Sequence, residues 1–152
     1  MLNWISRAVA GKPLTHTLYI VRGISGSGKS SLGRSLTRYS VAADEYPGLY
    51  VDGEYQLTKQ TESHRWCEAQ VKQWMSQKKC AIAVCNTAVK RKYYQAYIEL
   101  ALSHGYTVQI IACEAVIQAS GMTAKNIHGV PDSILERQQQ NWENHQSETE
   151  AG

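Results

Sequence analysis

The chain has no apolar run long enough to cross a bilayer, which excludes a membrane-spanning helix. Its opening, Met1-Leu2-Asn3-Trp4-Ile5-Ser6-Arg7, lacks the apolar core and cleavage site of a secretory leader, so a cytoplasmic protein without a membrane partner is expected. Cys67, Cys80, Cys85 and Cys113 contain no C-x-x-C pair, which argues against a zinc or disulfide framework. They read as reduced, buried thiols. Charge of one sign is not in large excess: 16 Lys and Arg against 13 Asp and Glu leave +3, too little to identify a partner. Internal repeats and linker-like stretches are also missing, and 152 residues suffice for one domain with a buried core.

What is present is Gly23-Ile24-Ser25-Gly26-Ser27-Gly28-Lys29-Ser30, directly after the apolar run Thr17-Leu18-Tyr19-Ile20-Val21. It satisfies G-x-x-x-x-G-K-[ST] at every constrained position, between an expected strand and an expected helix. That is a P-loop. The glycines let consecutive backbone N–H groups turn toward phosphate oxygens, and Lys29 neutralises the outer phosphates. The Ser30 hydroxyl can ligate Mg²⁺, while the helix start adds its positive dipole end. Contacts to ATP are expected from Gly23, Ser25, Gly26, Ser27, Gly28, Lys29, Ser30 and Ser31, with Mg²⁺ as the accompanying ion.

The rest of the chain alternates strands and helices. A helical extension is expected within residues 1–16, a P-loop domain over 17–146 and a flexible polar tail over 147–152. After the first strand, Thr17 to Val21, the P-loop helix runs from Lys29 to about Thr37. Ser40-Val41-Ala42-Ala43 forms a second strand ending at Asp44. Asp44 to Leu57, tyrosine-rich and broken by Pro47, Gly48 and Gly53, reads as a long loop at the mouth of the site. A helix over Thr61–Lys78 carries Cys67, Val71, Trp74 and Met75 on one stripe, and Ala81–Cys85 is a buried third strand. Val89–His104 is expected to be helical, with Tyr94, Ile98, Ala101 and Leu102 toward the core and Gly105 as its stop. Thr107–Ala112 is a fourth strand; an irregular stretch and a helix from Pro131 to about His145, anchored by Trp142, follow. The pattern predicts an α/β fold: three layers around a mostly parallel sheet of about four strands, with ligands beyond the strands' carboxyl ends. Gly23–Ser30, Asp44 and Cys85–Ala88 all fall there. Arg34 and Arg38 on the P-loop helix and the run Lys90-Arg91-Lys92 read equally as solvated surface or as a phosphate-binding patch.

These pieces together resemble the polynucleotide-kinase branch of P-loop kinases, including phage 5′-hydroxyl polynucleotide kinases and related small AAA-type ATP-binding proteins. The matching stretches run from about Thr17 to Trp142. They are Val21–Leu32, Ala42-Ala43-Asp44-Glu45-Tyr46, Asp52-Gly53-Glu54-Tyr55, Ser63-His64-Arg65-Trp66-Cys67, Gly105-Tyr106-Thr107-Val108 and Lys125-Asn126-Ile127-His128-Gly129-Val130-Pro131. The resemblance implies that Asp44 takes the proton from an attacking hydroxyl, and a carboxylate beside the outer phosphate is where a base belongs. A turn cap is the plainer role for Asp44. The resemblance also implies that Lys125, in a lid, reaches the phosphates. Three positions depart from the family pattern: Pro47 and Lys125 stand where arginines are usual, and Cys85-Asn86-Thr87-Ala88 has lost a carboxylate, leaving Mg²⁺ to Ser30, water and Asp44.

The function implied is transfer of the ATP γ-phosphate to the 5′-hydroxyl of an RNA or DNA end, with Lys29, Asp44 and Lys125 as catalytic residues. Two alternatives stay open. One is a kinase for a nucleoside or other small-molecule hydroxyl; the other is a nucleotide-binding pseudokinase acting through a protein partner, which Pro47, Cys85 and Ala88 favour. A basic single-strand channel would point to the polynucleotide, and a closed pocket to the small molecule.

Overall fold

A computed structural model describes residues 15–24, 26–113, 132–143 and 149–150. Its centre is three parallel strands: β1 (Thr17–Arg22), β5 (Ala81–Asn86) and β6 (Thr107–Ala112). β1 and β5 are mostly apolar on both faces, as a strand covered above and below must be, and β6 is buried over Ile110, Ile111 and Ala112. Two-residue strands complete the sheet at its edges: β2 (Ser40–Val41) beside β5, and β7 (Thr149–Glu150) beside β6. The order is β2-β5-β1-β6-β7, all parallel. The chain therefore leaves β1 toward one side and later crosses to the other, which opens a crevice at β1's carboxyl end. There Arg22 lies opposite Asn86 on one neighbour and Ala112 on the other.

The alternation of side chains along each strand builds two cores. Leu18 and Ile20 of β1 and Ile82 and Val84 of β5 pack with Cys67, Val71 and Met75 of α2 (Gln60–Ser76) and with Tyr97 and Ala101 of α3 (Gln95–Ser103). Val21, Ala83 and Cys85 face the other way, against Leu32 and Leu36 of α1 (Lys29–Leu36). Helices thus cover both faces, giving the expected three layers. The α1 layer sits very close to the sheet: a Cβ on Gly33 would strike Cys85 Sγ and Ser40 Oγ. That contact accounts for a glycine in mid-helix, where it costs about 1 kcal/mol against alanine.

Several boundaries differ from the sequence expectation. The segment expected as one helix from Val89 begins with a 3-10 turn, Arg91–Tyr93, and becomes α-helical only at Gln95. Its buried stripe is Tyr94, Tyr97 and Ala101, so Leu102, one residue round the helix, is 68% exposed rather than in the core. Trp74 is half-buried, edge-on to Tyr39 with ring centroids 5.6 Å apart. The second strand stops at Val41, and Asp44 lies on a 3-10 turn, Ala43–Glu45. The expected loop after it contains a hairpin, β3 (Tyr50–Val51) and β4 (Glu54–Tyr55). The last helix, α4, spans Asp132–Gln140. Within the stretch expected as a flexible tail, Thr149–Glu150 pair with Ile111–Ala112. Cys67, Cys85 and Cys113 are buried free thiols, whereas Cys80, the fourth, is exposed. Among the described residues no helix is long and apolar enough to cross a membrane. Residues 1–14 of the expected N-terminal extension, Ser25, Lys125 and the rest of the expected lid lie outside the described residues.

Candidate active site

The P-loop closes onto α1 through two backbone bonds, Ser27 N–H to the Ile24 carbonyl at 3.1 Å and Leu32 N–H to the Gly28 carbonyl at 3.0 Å. Gly28 caps the helix at φ 85°, a left-handed conformation that suits glycine, and no side chain caps the first turn. That turn also carries no acidic residue, so its N–H groups keep their affinity for an anion. Above them Ser27 Oγ is buried without a hydrogen-bond partner among the described residues. Such an orphan costs about 1–3 kcal/mol, which a phosphate oxygen or its water would recover. Gly23 lies so close that a Cβ there would strike the same oxygen. An orphaned hydroxyl, an uncapped helix start and a cradle closed to side chains fit a polyphosphate.

Lys29 is 6% exposed. Burial lowers its pKa from the ordinary lysine value, and the Asp44 carboxylate opposes that effect more than Cys85 or Cys113 does. The two thiols, at the ends of β5 and β6, are pushed up to about 11, mainly by burial. Both are therefore neutral at neutral pH. Cys85 supplies no anion where the resembling family has a carboxylate. Asp44 is the group that balances Lys29 most strongly. Ser30 and Ser31 follow in the first turn of α1, Ser30 half-buried and Ser31 exposed.

The Asp44 turn is fixed from several sides. Asn86, at the end of β5, accepts the Ala43 N–H on Oδ1 at 2.9 Å, and its Nδ2 reaches Cys67 Sγ at 3.7 Å. Glu45 N–H donates to Ala42 and Tyr46 N–H to Ala43, both at 3.0 Å. Tyr46 then ties the turn to α2, its hydroxyl donating to Glu62 at 2.9 Å and its ring lying 5.8 Å from Trp66. Because the backbone here is a 3-10 turn, strand alternation does not decide where Glu45 points. Burial raises the Glu45 pKa, and exposed Arg34 is a smaller opposing influence, which places that arginine near the turn.

Arg22 is the residue that sequence reasoning missed most completely. Wholly buried at the end of β1, it donates from Nε to the Ala88 carbonyl and from Nη2 to the Val89 carbonyl, each at 3.0 Å. Its guanidinium stacks 4.7 Å from the Tyr94 ring centroid and 4.1 Å from that of Trp142. Trp142, expected as a packing anchor, therefore packs on a cation, and the Glu143 N–H fastens the same segment to the Val89 carbonyl at 2.7 Å. Ala88, one of the departures, has φ 43° and engages Arg22 through its backbone. An arginine ending an otherwise apolar strand was the available signal. The other basic candidates are dispersed: Arg38 lies over Tyr39, Arg91 donates to Gln95 at 3.0 Å, and Lys92 lies over Tyr93.

Fold and cradle together define a nucleotide-binding protein with the P-loop kinase fold. More narrowly, the chain belongs to the AAA domain family AAA_33, whose family model matches residues 18–145. It is 28% identical over 129 residues to human NEDD4-binding protein 2; the match covers 79% of this chain and only 7% of that protein. A gluconokinase from Sinorhizobium meliloti 1021 has a similar structure, with TM-score 0.58 and 22% identity, over 91% of this chain and 83% of that one. A chain of the Pnkp1/Rnl/Hen1 RNA repair complex gives TM-score 0.60 and 14% identity, over 86% of this chain and 45% of that one. At such identities the likeness to the solved structures concerns the fold.

Proposed function

We propose that the protein is an ATP-dependent phosphotransferase whose acceptor is the 5′-hydroxyl of an RNA or DNA end. The observation that carries this reading is the pairing across one crevice: a buried lysine on the phosphate side, and an aspartate near enough to be its strongest charge partner. Lys29 and the α1 amides hold the outer phosphates, and Asp44 accepts the proton as the acceptor oxygen attacks phosphorus. Catalysis of this kind is chiefly positioning and electrostatics. Mg²⁺, held by Ser30, Asp44 and phosphate oxygens, would neutralise charge developing on the transferred group; among the described residues no cluster of three acidic, histidine or cysteine side chains forms a separate metal site. The role of Lys125 over the phosphates rests on the motif resemblance. Support for a nucleic-acid end comes from the fold shared with the RNA repair complex and from Arg34 beside the Asp44 turn.

A second reading is a nucleotide-binding module with little turnover, acting on a partner protein; the neutral Cys85 thiol at the place of the family carboxylate favours it. The test is transfer of label from γ-labelled ATP, with Mg²⁺, to hydroxyl-ended RNA and DNA oligonucleotides, nucleosides and gluconate. The proposal expects labelled oligonucleotide ends. Labelling of gluconate or nucleosides alone would replace the acceptor, and no transfer to any of them would favour the module.

A further inference from the structure

Beside the Asp44 turn, the chain folds into the β3–β4 hairpin. Asp52 and Gly53, at φ 51° and 81°, make the two-residue turn whose twist matches that of paired strands. Leu49 anchors its base: the side chain is buried, its N–H donates to the Tyr46 carbonyl at 3.1 Å, and its carbonyl accepts the Gln56 N–H at 2.7 Å. The Tyr46 N–H in turn donates to Ala43, so a short series of turns links hairpin to candidate base. This register sets Tyr50 directly opposite Tyr55, with ring centroids 5.5 Å apart and planes at 70°. Both rings therefore stand on one face of the hairpin. Burial raises both phenolic pKa values, and the negative charge of Asp44 is the next largest cause for each, which puts the rings on Asp44's side.

An isolated two-stranded hairpin is marginal, so an edge-to-face tyrosine pair has a structural use here. That use does not explain why Tyr55 stays 43% exposed, with Val51 and Leu57 also open to solvent nearby in sequence. An exposed ring near a base offers a flat surface at the place where an acceptor must lie. Nucleobases stack on such rings with little regard to sequence. An acyclic polyol has no flat face to offer it.

We infer that the Tyr50–Tyr55 hairpin is the acceptor-recognition element of this site, with the Tyr55 ring stacking on the terminal nucleobase of the hydroxyl-bearing strand and Arg34 meeting the phosphate that follows it. The inference rests on the phosphotransferase reading for its acceptor, yet it can be read without turnover. Stacking quenches 2-aminopurine, so an oligonucleotide with that base at its 5′-hydroxyl end is titrated with wild type, Tyr55→Phe and Tyr55→Leu.

Wild type and Tyr55→Phe should quench alike, while Tyr55→Leu, apolar but ringless, should bind about 10-fold or more weakly. ATP affinity should stay the same in all three. With the wild-type protein alone, an oligonucleotide whose terminal nucleotide lacks its base should compete at least about 10-fold less well than the intact one. Equal competition by the baseless end overturns the inference, as does undiminished quenching by Tyr55→Leu. Neither result touches the phosphotransferase reading, which the labelled-ATP assay decides separately. Ring-dependent quenching by a protein that transfers no phosphate would keep the element and remove the reaction.

Discussion

On the phosphate side of the crevice, the groups that matter are buried and largely backbone: the amides of the first turn of α1, the orphaned Ser27 hydroxyl and Lys29 at 6% exposure. On the acceptor side they are side chains on a 3-10 turn, a short hairpin and the end of α1. Asp44 and Tyr50 are half-buried, and Arg34 and Tyr55 are exposed. The first region is carried by one contiguous motif that packs against the sheet, with Gly33 against Cys85 and Ser40. The second is held by contacts from distant places, notably Asn86 to Ala43 and Tyr46 to Glu62. A site built this way can keep its nucleotide chemistry while the acceptor surface changes. It also predicts that substitutions on the two sides will fail differently.

The largest effect on nucleotide affinity should come from the phosphate side. Lys29→Ala removes the buried ammonium and with it a charge-assisted bond to the outer phosphates. ATP affinity by calorimetry should fall on the order of 10²-fold. Equal affinity in the two proteins would mean that the cradle does not hold phosphate.

A smaller and differently shaped loss should follow from loosening the support of the acceptor side. Asn86→Ala removes the acceptor of the Ala43 N–H and frees the Asp44 turn, though Asn86 itself is placed as a positioning residue. The rate of transfer should drop about 10-fold at saturating ATP, with ATP affinity unchanged, because small misplacements of a base are costly. Asn86→Asp retains an acceptor oxygen and should recover part of the rate. Loss of ATP affinity in Asn86→Ala would erase the separation between the two sides.

The legibility of the sequence follows the same division. The cradle could be read because its chemistry is carried by consecutive residues, Gly23 to Ser30, and β1 and β5 because burial on both faces leaves nearly continuous apolar runs. The acceptor side was harder. Asp52-Gly53 between Tyr-Val and Glu-Tyr is a hairpin signal, but proline and glycine nearby made the stretch read as open loop. Asn86 was visible only as part of Cys85–Ala88, since its role depends on pairing a strand end with a turn some forty residues away. Arg22 needed the third dimension altogether: its partners are the backbone at Ala88 and Val89 and the ring of Trp142. Leu102 was misplaced because the buried stripe runs through Tyr94, Tyr97 and Ala101, three and four residues apart, and Leu102 lies at its solvent side.

The smallest effect concerns pH. Burial holds the Lys29 pKa below 10.5 in the nucleotide-free protein, and bound phosphate would raise it. As pH rises through the lowered value, binding must take up a proton, so ATP affinity should decline by a few-fold. The contribution of this group to stability has the opposite sign. The unfolded chain holds the proton more tightly there, so the contribution increases with pH over the same window, between the lowered pKa and 10.5. Calorimetry and denaturant unfolding from neutral to alkaline pH measure the two trends, and Lys29→Ala should abolish both. Affinity that is flat with pH in the wild type would show that Lys29 stays charged throughout.

The division of labour between the two sides meets its most direct test in Asp44→Asn. The substitution keeps the size of the side chain and removes its ability to accept a proton as a carboxylate. ATP affinity by calorimetry and phosphate transfer to hydroxyl-ended oligonucleotides are measured on the same preparation. The predicted result is affinity within a few-fold of wild type and transfer lower by about 10²-fold or more, as loss of a positioned base produces. Undiminished transfer in Asp44→Asn would contradict the account.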